Sequence, residues 1–568
     1  MGIVQDLLAQ QQKLAQDRVP YEKAWADCAR LALPFASERY DFSGGSTASS
    51  LTGTAQRPRA EERSREIYDS TAVWACERLM AGMESLITPR AQKWHSFAID
   101  EAFVTDASDV ENEWLDELRD YVFAARYDPR SNFAIANQKH IRGNTVFGTG
   151  IMYSEENMGR KGIDPVKVPF FYRQIPVVEA YMSIDPYDDV DTMHRITSMS
   201  ARSAADYFGF DKLSKTLQQH VNSNTSREDT FTFMHSVMPR DQADGFKGKR
   251  AGQRYASFWI EVETSHLISN AGFYTFPYSV SWWDQVENSA YGQSALMAIL
   301  ADVKMLQAMS KTALQAAQQM VKPPLATMAG LYNSRLNLNP GAINPGYIDD
   351  AGRLKAQPIV TAQNPSFAEN LMELKRSGIR ESLYVNLFQI LVQNPQQTAT
   401  EALIRANEKG EMLGPAGSKI ESGIARAADR EIDIVQRKGA FQPGSPLQPP
   451  ASIAGKNIGV KFTGPLARLR RMQEMQGVQT VLGMAGTLAQ YDQGVLDRID
   501  GDETLELTRE IGGAPRKMFR TDDETAAFRQ QRAQMQENLA ASQVTEQLAT
   551  AAGRATPAIQ AAMQANAA

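Results

Sequence analysis

The sequence predicts an α+β chain, and three observations carry that prediction. The first stretch, to about residue 127, is dominated by apolar residues stepping by threes and fours, the helical period. Between residues 145 and 283 lie short runs rich in β-branched and aromatic residues, some alternating, separated by turn residues. From Tyr291 onward the helical period returns. Strands gathered between two helical regions, instead of alternating with helices one by one, are the mark of α+β.

Residues 1 to about 38 read as helix, with Leu7, Leu8, Leu14, Tyr21, Trp25, Cys28, Leu31 and Ala32 on one apolar side and Pro34 stopping it. Ser43–Arg57 is rich in Gly, Ser and Thr and reads as a loop. Ser70–Ile87 and Asn112–Tyr127 are strongly apolar helices. Strands are expected over Thr145–Tyr153, Val166–Phe171 and Val177–Ile184, then Phe231–Met238 and Ala256–Val262, with a short helix at Ala204–Phe208. Asp185–Asp189 reads as a solvated turn; it lacks the glycine and terminal glutamate of a calcium-binding loop. The aromatic run Phe273–Trp283 could stack bases, but reads better as sheet core and subunit contact.

The chain is organised around residues 291–441. A helix over about Ser294–Val321 carries only Asp302, Lys304 and Lys311 as charges and has apolar residues off its main stripe, so it should meet protein on more than one side. At 1.5 Å per residue it spans roughly 40 Å. An insert with Asn339-Pro340-Gly341 and Asn344-Pro345-Gly346 turns follows, with short strands flanking them. Asn364 and Pro365 suit the start of a second helix, which continues through Ile390. Leu391–Gln397 is a polar loop, and Thr398-Ala399-Thr400-Glu401 is a capping box opening a long helix to Arg437-Lys438-Gly439. Gly414-Pro415 is expected to break that helix in the middle. Beyond it lie a Pro/Gln-rich linker at Gln442–Pro450, a strand at Val460–Phe462, helices over Leu466–Leu488 and Leu496–Ile511, and a helix-prone tail rich in Ala and Gln.

At 568 residues the chain can bury a large core, and 43% apolar content is that of a globular protein. A net charge of −6 disfavours a static nucleic-acid binder. Cys28 and Cys76 are too few for a disulfide framework or zinc ribbon and read as small buried hydrophobes. Met1–Asp6 shows neither a signal-peptide nor a myristoylation pattern, and no stretch is long and apolar enough for a bilayer, so a soluble protein made in a reducing cytoplasm is expected. No catalytic residue, metal site or cofactor is expected. Gly414–Lys419 lacks the spacing of a phosphate loop, the six histidines are scattered, and no nucleophile elbow occurs.

Several segments in order carry a resemblance: Tyr68-Asp69-Ser70-Thr71-Ala72, Trp94 after Thr88-Pro89, His235-Ser236-Val237-Met238-Pro239-Arg240, Phe276-Pro277, Tyr291-Gly292-Gln293-Ser294, Thr398–Glu401 with Leu413-Gly414-Pro415, and Gly464-Pro465-Leu466-Ala467. With these, over nearly its whole length, the chain resembles the head-to-tail connector (portal) proteins of short-tailed, podovirus-type bacteriophages. Trp94-His95 stands where some members carry an aromatic–phenylalanine pair, a departure that bears on core packing.

The resemblance implies a wing region at 1–290, stem helices at 291–322 and 365–391, and a clip at 323–364. It further implies a tunnel loop at 392–398, a kinked wing helix at 399–440, a wing/crown region at 441–510 and a helical crown or barrel tail at 511–568. It places Gln393, Asn394, Gln396, Gln397 and Thr398 in the channel loop and makes Gly414 and Pro415 a hinge. Lys375, Arg376 and Arg380 read either as a salt-bridging face or as a weak phosphate-facing belt. The implied assembly is a ring, twelve-fold, at one capsid vertex of the virion, put together in the host cytoplasm. Its partners would be the terminase large subunit, the major capsid and scaffolding proteins, head–tail adaptor and tail proteins, and double-stranded DNA in transit. The alternatives are a DNA-processing nuclease and a purely structural scaffold or filament protein.

Overall fold

The computed structural model describes residues 2–40, 67–99, 108–159, 162–240, 253–321, 325–327, 348–354, 356–358, 366–386, 388, 399–445, 447–453, 455–512, 514, 518–521 and 524–544. The fold mixes helices with antiparallel sheets. In order come α1 (Ile3–Ala32), α2 (Thr71–Ile87), β1 (His95–Ile99), α3 (Asp109–Tyr127), α4 (Phe133–Phe147), β2 (Thr149–Glu156), β3 (Phe170–Gln174), β4 (Ala180–Ile184) and β5 (Val190–Ser200). Next are α5 (Ala201–Phe208), α6 (Lys215–Asn222), β6 (Thr230–Pro239), β7 (Tyr255–Glu261), β8 (His266–Phe273), β9 (Tyr278–Trp282), β10 (Asp284–Gln285) and β11 (Gly292–Gln293). Then follow α7 (Ala295–Ala298), α8 (Leu300–Val321), β12 (Leu325–Thr327), β13 (Ala356–Pro358), α9 (Ser366–Ser382), α10 (Ala399–Arg437), β14 (Ile458–Phe462), α11 (Pro465–Leu488) and α12 (Gly501–Gly512). Residues 524–544 are also helical.

The chain divides into two compact units: residues 1–98, 117–448 and 458–470, and residues 99–116, 449–457 and 471–568. One division falls inside the Pro/Gln-rich linker read from the sequence. In the first unit, β4 to β8 form a five-stranded antiparallel sheet in sequence order. Alternation along β6 sends Met234 and Met238 to one face, where α1 covers them with Leu7, and Phe233 to the other, where Ala201, Ala204, Phe208 and Leu217 of α5 and α6 pack. A second sheet, β3-β2-β9, carries α4 and the C-terminal half of α10. The aromatic run 273–283 is largely sheet core: Tyr278, Val280 and Trp282 are buried on β9, while Tyr274 is exposed. Cys28 and Cys76 are free and buried, and burial raises both thiol pKa values, that of Cys76 to about 12.

In the second unit, the described helices keep much of their apolar surface in the open, including Val481, Met484, Leu488 and Leu505. Asp502 and Arg529 form an exposed ion pair at 2.6 Å there. The Ala/Gln-rich tail beyond residue 544 lies outside the described residues.

Several expectations are corrected. Thr145-Val146-Phe147 ends α4 instead of opening a strand. Gly148 takes φ +77° as the helix C-cap, and a Cβ there would sit 2.4 Å from the Gly292 carbonyl oxygen. Val177–Glu179 is a 3-10 turn before β4, and β3 begins only at Phe170. The first long helix is split at Ile299 into α7 and α8. The second stops at Ser382, and Tyr384 turns the chain with φ +57°. Gly414-Pro415 does not break α10: Leu413 is buried, the Ser418 hydroxyl donates to the Gly414 carbonyl at 2.7 Å, and helical geometry continues to Arg437. Packing on both sides of Pro415 outweighs the hydrogen bond that proline removes.

The stem and its anchorage, a candidate functional site

α8 packs against α9, and both are tied to the segment leading into α2. The tie centres on Asp69. Its carboxylate accepts from the Thr71 N–H at 2.9 Å and from Arg376 Nε at 2.8 Å. The Gln307 amide oxygen on α8 accepts from the N–H groups of Tyr68 and Asp69 at 2.9 and 3.1 Å, while its amide nitrogen donates to the Asp69 carbonyl. Burial raises the carboxyl pKa of Asp69, but these donors outweigh it and hold the group below its usual range. A residue picked out in the sequence only as part of a motif is therefore the node joining α2, α8 and α9.

The three cations on α9 are all paired within the chain. Lys375 meets Asp302 of α8 at 2.8 Å; Arg376 bridges Asp69 and Glu373; Arg380 meets Glu373 at 3.0 Å. Three cations face three carboxylates, so the face is balanced in charge. The buried side of the helix pair holds Val303 and Leu306 on α8 and Met372 and Ile379 on α9. Elsewhere on α8 Met305 and Leu314 are about half exposed, and Lys311–Gln319 are mostly in the open.

Gln393, Asn394, Gln396, Gln397 and Thr398 lie outside the described residues, as do Asn364 and Pro365. The chain entering that loop is anchored by Phe388, whose ring lies against Gly82 of α2; a Cβ on Gly82 would stand 2.2 Å from it. The chain leaving it enters α10, whose second half is clamped to the sheets. Gly423 lets β9 approach so closely that a Cβ would lie 2.4 Å from that of Ser281. Arg430 donates to the carbonyls of Ser154 and Thr275 at 2.9 and 3.0 Å.

Glu431 receives the fork of Arg126 and the hydroxyl of Tyr172. Arg126 lies 4.7 Å from the centre of the Trp94 ring, and its remaining side donates to His95 Nε2 at 2.6 Å. Both charged side chains are 1% exposed. Burial opposes the charge on Arg126, but Glu431 outweighs it and raises the pKa; burial and the neighbouring guanidinium keep His95 neutral. Sequence reading named none of Asp69, Arg126, Arg430 or Glu431 as a site, because each is one charged residue among many. The only local signal was the position of Asp69 just before the Thr71 helix start.

The other quoted segments also do structural work. The Ser294 hydroxyl accepts from the Met297 N–H at 3.0 Å and donates to the Val146 carbonyl at 2.9 Å. Buried His235 bridges Tyr278 and Ser257 at 2.6 and 3.0 Å. Among the described residues no group of three or more His, Cys, Asp or Glu could hold a metal ion, and no helix is long and apolar enough to cross a membrane.

Comparison with known proteins places these features in a family. A portal protein of Salmonella phage epsilon15 is 25% identical over 539 residues, covering 93% of this chain and 90% of that protein. A probable portal protein of Bordetella phage BPP-1 is 25% identical over 541 residues, covering 94% and 91% respectively. The profile described as bacteriophage head to tail connecting protein matches residues 4–519. The chain belongs to the bacteriophage head to tail connecting protein family.

Proposed function

We propose that this protein is a phage portal subunit. Copies close into a ring at one capsid vertex, through which double-stranded DNA enters during packaging and leaves at ejection, and to which the tail attaches. The observation that carries this reading is the family match across residues 4–519, joined by two relatives described as portal and probable portal proteins. The half-exposed Met305 and Leu314 on α8 support it, because large apolar side chains left open in one chain are what a neighbouring subunit covers.

In this reading residues 1–290 are the N-terminal wing, 291–322 and 365–391 the stem, 323–364 the clip, 392–398 the tunnel loop and 399–440 the wing helix. Residues 441–510 are wing and crown, and 511–568 the crown or barrel. The antiparallel pairing of Leu325–Thr327 with Ala356–Pro358 supports a compact clip. Lys375, Arg376 and Arg380 line the channel as cations already matched by carboxylates, a surface that lets phosphates pass without gripping them. The ring assembles in the host cytoplasm with capsid and scaffolding proteins. A separate terminase large subunit docks on it and hydrolyses ATP, and head–tail adaptor and tail proteins follow. The subunit itself guides and gates.

Negative-stain imaging with mass from light scattering tests the ring: closed rings with a duplex-wide hole are expected, and filaments or compact dimers overturn the reading. Deleting Asn394–Gln397 tests the loop. Rings should form while DNA packaging or retention fails, and normal DNA content refutes the tunnel-loop assignment.

A further inference from the structure

A cavity of about 330 Å³ lies between the two sheets of the first unit, walled by Tyr153, Phe171, Tyr207 and Trp259, with Thr197 and Met199 on β5 and Arg173 on β3. Arg173 stands out among the cations there. Its guanidinium has no hydrogen bond or ion pair among the described residues, while Arg195 is held by Glu179 at 2.9 Å. Glu155, the other carboxylate acting on Arg173, accepts from the Tyr207 hydroxyl at 3.2 Å. The cavity is thus an aromatic box whose lining also carries Arg173 and Arg195 against the one carboxylate of Glu155, a surplus of positive charge that suits an aromatic side chain flanked by carboxylates.

The chain itself carries that complement elsewhere. The β4–β5 turn holds Asp185, Asp188 and Asp189 around Tyr187, which is 87% exposed. The turn is rigid: Asp185 Oδ1 accepts from the N–H groups of Tyr187 and Asp189 at 2.8 and 3.0 Å, Asp189 pairs with Arg426, and Gln285 donates to the Asp188 carbonyl at 3.2 Å. A large aromatic ring held out on a stiff acidic turn loses little entropy on docking. Turn and cavity lie toward opposite ends of β5. Val190 adjoins the turn and Thr197 lines the cavity, roughly 23 Å apart at 3.3 Å per residue.

We infer that the cavity receives Tyr187 of a second copy of this chain, with Arg173 facing the carboxylates beside it. The contact joins two different surfaces, so it runs head to tail and propagates from copy to copy, as a closed ring requires. This inference rests on the ring proposed above and assigns it a specific joint.

Two experiments on the full chain test it. In a Tyr187→Cys/Met199→Cys variant, mild oxidation should give a ladder of covalent dimers, trimers and higher species on denaturing gels. Each single variant should give none, since Cys28 and Cys76 are buried. In parallel, Tyr187→Ala or Arg173→Glu should raise the concentration for half-assembly by at least about tenfold, and Arg173→Glu/Asp188→Lys should recover most of that loss. Rings that form without a ladder, with unchanged assembly in the single variants, overturn the joint and leave the ring standing. Absence of rings in the unsubstituted chain overturns the ring and the joint together. A ladder with charge-swap recovery establishes the joint.

Discussion

Converting Glu431 to Gln keeps the side chain's shape and removes its charge, leaving the Arg126 guanidinium buried without a counter-ion. Both side chains are 1% exposed, so little water screens the loss. Breaking one partner of such a pair costs about 3–5 kcal/mol. For a chain of two units a single global unfolding energy is ill defined, so the local readout is amide exchange over the described second half of α10, residues 412–437. At about 1.4 kcal/mol per decade, exchange there should speed up by roughly two to three and a half orders of magnitude. Replacing the pair together, Arg126→Met with Glu431→Leu, removes the buried charge among the rings of Trp94, Phe123 and Phe133 but strands the Tyr172 hydroxyl and His95, at about 1–3 kcal/mol each, so it should cost about as much as Glu431→Gln. Acceleration below about tenfold for Glu431→Gln would refute the claim that this pair fixes α10 to the sheet.

Three further outcomes are expected. Gly82→Ala should lower the thermal midpoint, by about 1–3 kcal/mol of overpacking against Phe388 that outweighs alanine's roughly 1 kcal/mol helical advantage, and Phe388→Leu in the same chain should relieve it. Acid should destabilise the chain already between pH 6.5 and 5. Burial lowers His140 to about 4 and His194 to about 3 from the ordinary 6.5, so the neutral folded form is favoured fully above pH 6.5 and that stability drains as pH falls toward 4 and 3. Each histidine should then have lost about 2 kcal/mol by pH 5; a thermal midpoint flat from pH 7 to 5, or a slope unchanged in His140→Gln, would contradict this. Met305→Lys with Leu314→Lys should leave the monomer's thermal midpoint nearly unchanged and abolish assembly seen by light scattering; intact rings would show that these two side chains are not subunit contacts.

What the sequence determined by itself is whatever depends on neighbours a few positions away. The apolar period placed α1, α2, α3 and α11; the pattern of β-branched and aromatic residues placed β6 and β7; the Asp185–Asp189 composition marked a turn that proves tightly hydrogen-bonded. The order of short motifs along the chain was enough to name the family. Local pattern misled where packing overrides propensity. Thr145-Val146-Phe147 has strand-like chemistry but forms the buried last turn of a helix, and β5 and β8 lacked a pattern strong enough to be marked before a sheet surrounded them. Pro415 promised a break that tertiary contacts prevent. The partners of the charged residues were decided only by the tertiary structure. Arg126 and Glu431 are 305 positions apart and Asp69 and Arg376 are 307 apart, and a charge in a sequence does not say which opposite charge it will meet. That choice follows from burial, which makes an unpaired charge too costly to keep and so fixes which long-range pairs must form.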